Sequence, residues 1–135
     1  MTTTTTSYGM ARTVELPYDQ ALERTREALG AEGFGVLTEI DVKATFEKKL
    51  GVDFRPYIIL GACNPPLAHQ ALSAERDIGL LLPCNVIVYA NDDGNTTTVS
   101  AIDPVAQLTI ADSKAVEPIA KDVKDRLQRV LERIQ

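Results

Sequence analysis

The stretch Tyr57-Ile58-Ile59-Leu60-Gly61-Ala62-Cys63-Asn64-Pro65 decides how the rest of the chain is read. Arg55-Pro56 precedes it, and the residue before a proline is pushed out of the helical region, so the run starts extended. Six apolar residues rich in Ile and Leu then predict a central β-strand over 57–62. Asn64-Pro65 reverses the signal. An Asn side chain can cap the free amides of a helix start, and proline, lacking an N–H, suits its first position. A helix is therefore predicted from Pro65 to about Ser73, with Leu67, Ala68, Ala71 and Leu72 turned inward.

Working toward the N-terminus, Asp41 can cap a helix that runs through Val42, Phe46, Lys49 and Leu50, with Gly51 just past its end. Phe34 to Ile40 is a short strand. Tyr18 to Ala31 has helical spacing in Tyr18, Ala21, Leu22, Thr25, Ala28 and Leu29, with Gly30 or Gly33 to stop it. Gly9 to Leu16 alternates through Met10, Arg12, Val14 and Leu16, as a half-buried strand does. Residues 1–7 (Met, five Thr, Ser) lack the charged and apolar regions of a signal peptide and read as a disordered lead outside a single domain over 8–135.

Toward the C-terminus, Ile78 to Leu82, closed by Pro83, reads as a short extended segment. Val86 to Ala90 and Thr96 to Ile102 flank Asn91-Asp92-Asp93-Gly94-Asn95, which predicts a hairpin. Asp103-Pro104 repeats the cap-then-proline signal and opens a short helix to about Ile110. From Ser113 the longest helix carries the stripe Val116, Ile119, Ala120, Val123, Leu127, Val130, Leu131 and Ile134. Pro118 must lie in its first turn, since deeper it would cost about 3 kcal/mol. Glu117/Lys121, Asp122/Arg126 and Asp125/Arg129 are spaced as pairs on a solvated face. Helices mixed with a hairpin predict an α+β fold: a mainly antiparallel sheet of five to six strands with helices packed on it and a long C-terminal helix. A bare sheet edge or face needs cover, and a homodimer is a common way to supply it.

Composition narrows the function. The chain has 135 residues, 44% of them hydrophobic and 24% charged, enough for one core without disulfides or metal. The longest apolar runs fall far short of the roughly 20 residues of a membrane helix. A net charge of -5 argues against a nucleic-acid binder. Two cysteines are too few for a disulfide scaffold, so a cytoplasmic location with reduced thiols is expected.

Those cysteines sit in two matching pairs, Cys63-Asn64 and Cys84-Asn85, each at the edge of an apolar run beside a proline. They define the candidate ligand-binding residues Cys63, Asn64, Cys84 and Asn85, with Glu75 between two apolar elements as a further candidate. At a helix start, unpartnered amides and the helix dipole would favour a Cys63 thiolate, with Cys84 as a resolving partner. The plainer alternative is that both are small buried hydrophobes. Cys63, Cys84 and His69 could ligate zinc or copper only with a fourth donor, and their spacing matches no zinc signature. No cofactor motif is present.

These residues carry a family resemblance. Phe34 to Val42, Lys49-Leu50-Gly51, Pro56 to Pro65, Ile78 to Val86 and Asp103-Pro104, in that order, resemble the bacterial and archaeal family called domain of unknown function 302. The resemblance covers the chain from about Tyr8. It implies a TATA-binding-protein-like α+β fold, a curved antiparallel sheet, often a homodimer, and a shared pocket at the two Cys-Asn pairs. It names no ligand and no reaction. Two functions stay open: a ligand-binding or regulatory homodimer taking a small molecule, or a thiol-dependent enzyme or sulfur carrier using Cys63 and Cys84. A purely structural interaction module is the third.

Overall fold

The antiparallel sheet forms because apolar, β-branched segments alternate with helices, three of which start at an Asp or Asn side-chain cap (Asp41, Asn64 and Asp103). The computed structural model describes residues 3–134. Its strands are β1 (Thr4–Thr5), β2 (Gly9–Val14), β3 (Gly35–Asp41), β4 (Tyr57–Cys63), β5 (Cys84–Ala90) and β6 (Thr97–Ile102). They run in the order β1-β2-β6-β5-β4-β3, antiparallel throughout. The helices are α1 (Tyr18–Ala31), α2 (Val42–Leu50), α3 (Pro65–Ala74), α4 (Pro104–Leu108) and α5 (Glu117–Arg133).

The caps behave as the residue types dictate. Asp41 accepts from the Ala44 N–H at 2.9 Å to start α2, and Gly51 ends it at φ +64°. Asp103 accepts from the Val105 and Ala106 N–H groups to start α4. Pro118 lies in the first turn of α5. At the end of α1, the Gly33 N–H donates to Gly30 O and the Phe34 N–H to Leu29 O. That closure requires φ +84° at Gly33, a conformation that costs a side chain but not glycine.

One face of the sheet holds the core. Met10 and Val14 on β2, Ile58, Leu60 and Ala62 on β4, Val86 and Val88 on β5, and Val99 and Ala101 on β6 pack against Ala21, Ala28 and Leu29 of α1 and Val123, Leu127, Val130 and Leu131 of α5. The α5 stripe is buried as its spacing predicts, with Ile119 half-buried. The opposite face carries Tyr57 and Tyr89 stacked at 5.4 Å, with Phe54 and Phe46 continuing the row. Aromatics scattered in sequence are thus neighbours in space.

Three expectations change. Residues 76–81 form a 3-10 helix, Arg76–Leu81, instead of the extended segment expected from Ile78 to Leu82. A five-residue apolar run does not carry enough period to separate the two. The Ile78 N–H turns back to Glu75 O and the Leu82 N–H to Gly79 O, which buries Ile78 and leaves Leu80 in solvent. Within the supposed lead, Thr4–Thr5 pairs with Met10 and Ala11, extending the sheet by a short strand; residues 1 and 2 lie outside the described residues. Arg129 does not serve the helix pair expected with Asp125. It reaches across to Glu32, at 2.9 Å, as Arg133 does at 3.1 Å, while Arg126 donates to Glu32 O and pairs with Asp122. Burial alone would raise the Glu32 pKa, but the two guanidiniums hold it below its ordinary value. Among the described residues no helix is long and apolar enough to cross a membrane.

Candidate functional site

At the end of β4 the chain turns directly into α3, and the following 3-10 helix returns it to β5 beside the same spot. This arrangement leaves a cavity of about 320 Å³. Its walls are Phe34 and Leu37 from the β3 segment, Leu67, Ala68, Ala71 and Leu72 from α3, Leu82 and Pro83 ahead of β5, and Leu108, Ile119 and Val123 from the C-terminal helices. Cys63, Cys84, Asn64 and Thr38 supply the polar side chains. Among the described residues no Asp, Glu, Lys, Arg or His lines it.

Of the residues singled out in the sequence, Cys63, Asn64 and Cys84 come together here. Cys84 stands opposite Ala62 in the β4–β5 register, one residue from Cys63. Asn85 does not join them. Successive strand residues face opposite sides, so burial of Cys84 puts Asn85 in solvent on the other face. The matching Cys-Asn pairs are therefore not equivalent: Asn64 is a helix cap and Asn85 an exposed strand residue. Glu75 ends α3 and lines a separate shallow depression with Asp77 and Ile110. His69 is exposed on α3. Among the described residues no group of three His, Cys, Asp or Glu could hold a metal ion.

The amides at the start of α3 bear on the thiolate expectation at Cys63. Pro65 and Pro66 have no N–H. The Leu67 N–H donates to Asn64 Oδ1 at 3.3 Å, and the Ala68 N–H to Asn64 O at 2.9 Å. The start of α3 therefore offers no free donor to a sulfur anion. Burial instead dominates: it pushes the Cys63 thiol above its ordinary value and Cys84 up to about 11, the latter raised further by a charge on neighbouring Cys63. The Cys84 thiol donates only a long 4.0 Å contact to Gln107 Oε1. Because the thiolate is the nucleophile, native alkylation at both cysteines should lag behind the unfolded chain below pH 9, with half-buried Cys63 labelled before Cys84. Mass spectrometry of iodoacetamide adducts against pH measures this, and rapid native labelling near neutral pH would overturn it. The sign for stability follows. Both thiols favour the folded state while neutral, and that contribution is lost as pH rises through the raised value at Cys84, about 11.

Sequence reasoning found the α3 wall through its apolar spacing. It missed Thr38 and Leu37, which reach the cavity because a bulge between Val36 and Thr38 shifts the β3–β4 register. It also missed Leu108, Ile119 and Val123, whose approach is purely tertiary.

Comparisons agree with this fold. The family model described as domain of unknown function DUF302 matches residues 10–134. A crystal structure of an uncharacterized conserved DUF302 protein from Bacillus stearothermophilus is 32% identical, with 94% of this chain and 98% of that one covered and a TM-score of 0.86. No curated protein matches the chain. With nearly its whole length matched by the family model, and a solved relative 32% identical over 94% of it, the chain belongs to the DUF302 family.

Proposed function

We propose that this domain is a ligand-binding homodimer that takes a small apolar molecule into the cavity beside Cys63 and Cys84. The observation that carries the reading is the cavity itself: about 320 Å³, walled almost wholly by apolar side chains, with no ionic group among the described residues and Thr38, Cys63, Asn64 and Cys84 as its polar side chains. That volume and that distribution are those of small-molecule sites. A neutral fluorescent probe, N-phenylnaphthylamine, should bind saturably at one site per chain. Ala68→Leu, which fills the cavity from α3, should weaken it about tenfold, on the order of 1.4 kcal/mol. Absence of saturable binding, or an affinity indifferent to Ala68→Leu, would overturn the proposal. Reduced, neutral thiols in the wall fit a reducing, cytoplasmic setting. The rival reading, a thiolate enzyme or sulfur carrier, has the burial of both sulfurs against it.

The dimer is supported by a second region. Strand β3 is an edge with six of its seven residues exposed, and α2 buries none of its nine. Leu37, Ile40, Leu50, Val52 and Phe54 are exposed along this segment. An open edge beside an apolar patch invites pairing with another chain. Light scattering at micromolar concentration should give twice the chain mass of 14.7 kDa, and a single-chain mass would refute the dimer.

A further inference from the structure

Resting on the proposed dimer, we infer that each copy seats the C-terminal end of its α2 in the shallow depression beside the 3-10 helix Arg76–Leu81 of the other, through two equivalent contacts. The depression, about 330 Å³, has Glu75 and Asp77 on its wall with Ile78, Leu80, Leu81 and Ile110. Leu80 is 87% exposed and Ile110 75%, two large apolar side chains left in water around one hollow. Single exposed aliphatics are ordinary on a surface, but a patch of them marks a contact. Among the described residues neither carboxylate has an ion-pair partner. Arg76, between them in sequence, does not line the depression.

The end of α2 has the opposite charge and the same apolar character. Lys48 and Lys49 are exposed and have no ion-pair partner among the described residues, whereas Lys43, nearer the start of the helix, is held by Asp53. Leu50 is 67% exposed and Val52 46%. Two free cations and two bare aliphatics therefore stand here, against two free carboxylates and two bare aliphatics at the depression.

Charge decides which patch meets which. A chain of net charge -5 repels its own copies at long range. Packing α2 on α2 would gather the lysines of both copies, and depression on depression would gather the carboxylates; both add like-charge repulsion. Joining α2 to the depression pairs opposite charges instead. A two-fold axis then repeats the contact, because a closed dimer presents the same surface from each copy. The apolar side chains supply the burial and the charges set the pairing, since exposed ion pairs contribute little by themselves.

Sedimentation velocity on charge-reversed variants tests this. Lys48→Glu/Lys49→Glu and Glu75→Lys/Asp77→Lys, each alone, should dimerise at least about tenfold more weakly than wild type. Mixed in equal amounts, the two variants should form a heterodimer about as tight as the wild-type dimer, because both contacts are then complementary again. Leu80→Ser/Ile110→Ser, at two exposed positions, should weaken the dimer by a similar factor while leaving the circular dichroism unchanged. Either charge variant dimerising as tightly as wild type would overturn the inference and leave the dimer standing on another face. A mixture that stays monomeric would overturn it as well. A wild-type chain that is monomeric throughout the micromolar range would instead remove the proposed dimer, and this contact with it.

Discussion

Gly61→Ala should lower the melting temperature by about 10 °C, corresponding to a loss of about 2–3 kcal/mol. Gly61 lies in β4 opposite Thr38 of β3. A Cβ built there would fall 2.1 Å from Thr38 Oγ1 and 2.9 Å from Pro83 Cγ. Cross-strand partners ordinarily hold their Cβ atoms about 5 Å apart, so Thr38 is folded over a position that only hydrogen can occupy. The bulge just before Thr38 makes this possible by shifting the register and turning the strand. Thr38 and Pro83 both line the cavity, so their displacement would disturb the binding end of the molecule as well. The double variant Thr38→Ala/Gly61→Ala should recover part of the loss by removing the hydroxyl, while the Pro83 contact persists. Thermal unfolding of the four proteins forms a double-mutant cycle, with an expected coupling of about 1 kcal/mol or more. An unchanged melting temperature for Gly61→Ala would contradict the packing described.

Leu127→Ala should cost about 3–4 kcal/mol and shift the urea midpoint down with an unchanged slope. Leu127 is fully buried at the middle of the α5 stripe and packs in the cluster that joins α1, α5 and the sheet. Removing its branched end takes away both transfer energy and contacts that surrounding side chains cannot wholly restore. Against a typical domain stability of about 5–15 kcal/mol, this is a large fraction. Lys121→Ala on the same helix, at an exposed position, should stay within about 0.5 kcal/mol of wild type. Comparable losses for the two would show that α5 is held by its charges rather than by its stripe.

These two positions show where reading the sequence succeeds and where it stops. Leu127 was legible as core because a helix repeats its face every three to four residues, and nothing beyond its own helix was needed. Gly61 was legible only as part of an apolar strand. Its need to be glycine depends on Thr38, 23 positions earlier, and on a one-residue bulge that no local pattern announces. Arg129 makes the same point with charge: Asp125 offered the nearer pairing by spacing, but Glu32, buried at the end of α1, had the stronger demand for a cation.

The sequence by itself determined the order of β2 to β6 and of α1 to α5, the caps at Asp41, Asn64 and Asp103, the hairpin, the α5 stripe and the family. Each of these depends on neighbours within a few residues, where backbone geometry and side-chain type act directly, or on an ordered set of motifs. Only the tertiary structure decided that Cys63, Asn64 and Cys84 share one cavity while Asn85, Glu75 and His69 do not. It also decided that burial pushes both thiols above their ordinary range. Strand parity, register and burial set those outcomes. They arise from which distant segments pack together, and so the chemistry of the site follows the packing rather than the motif.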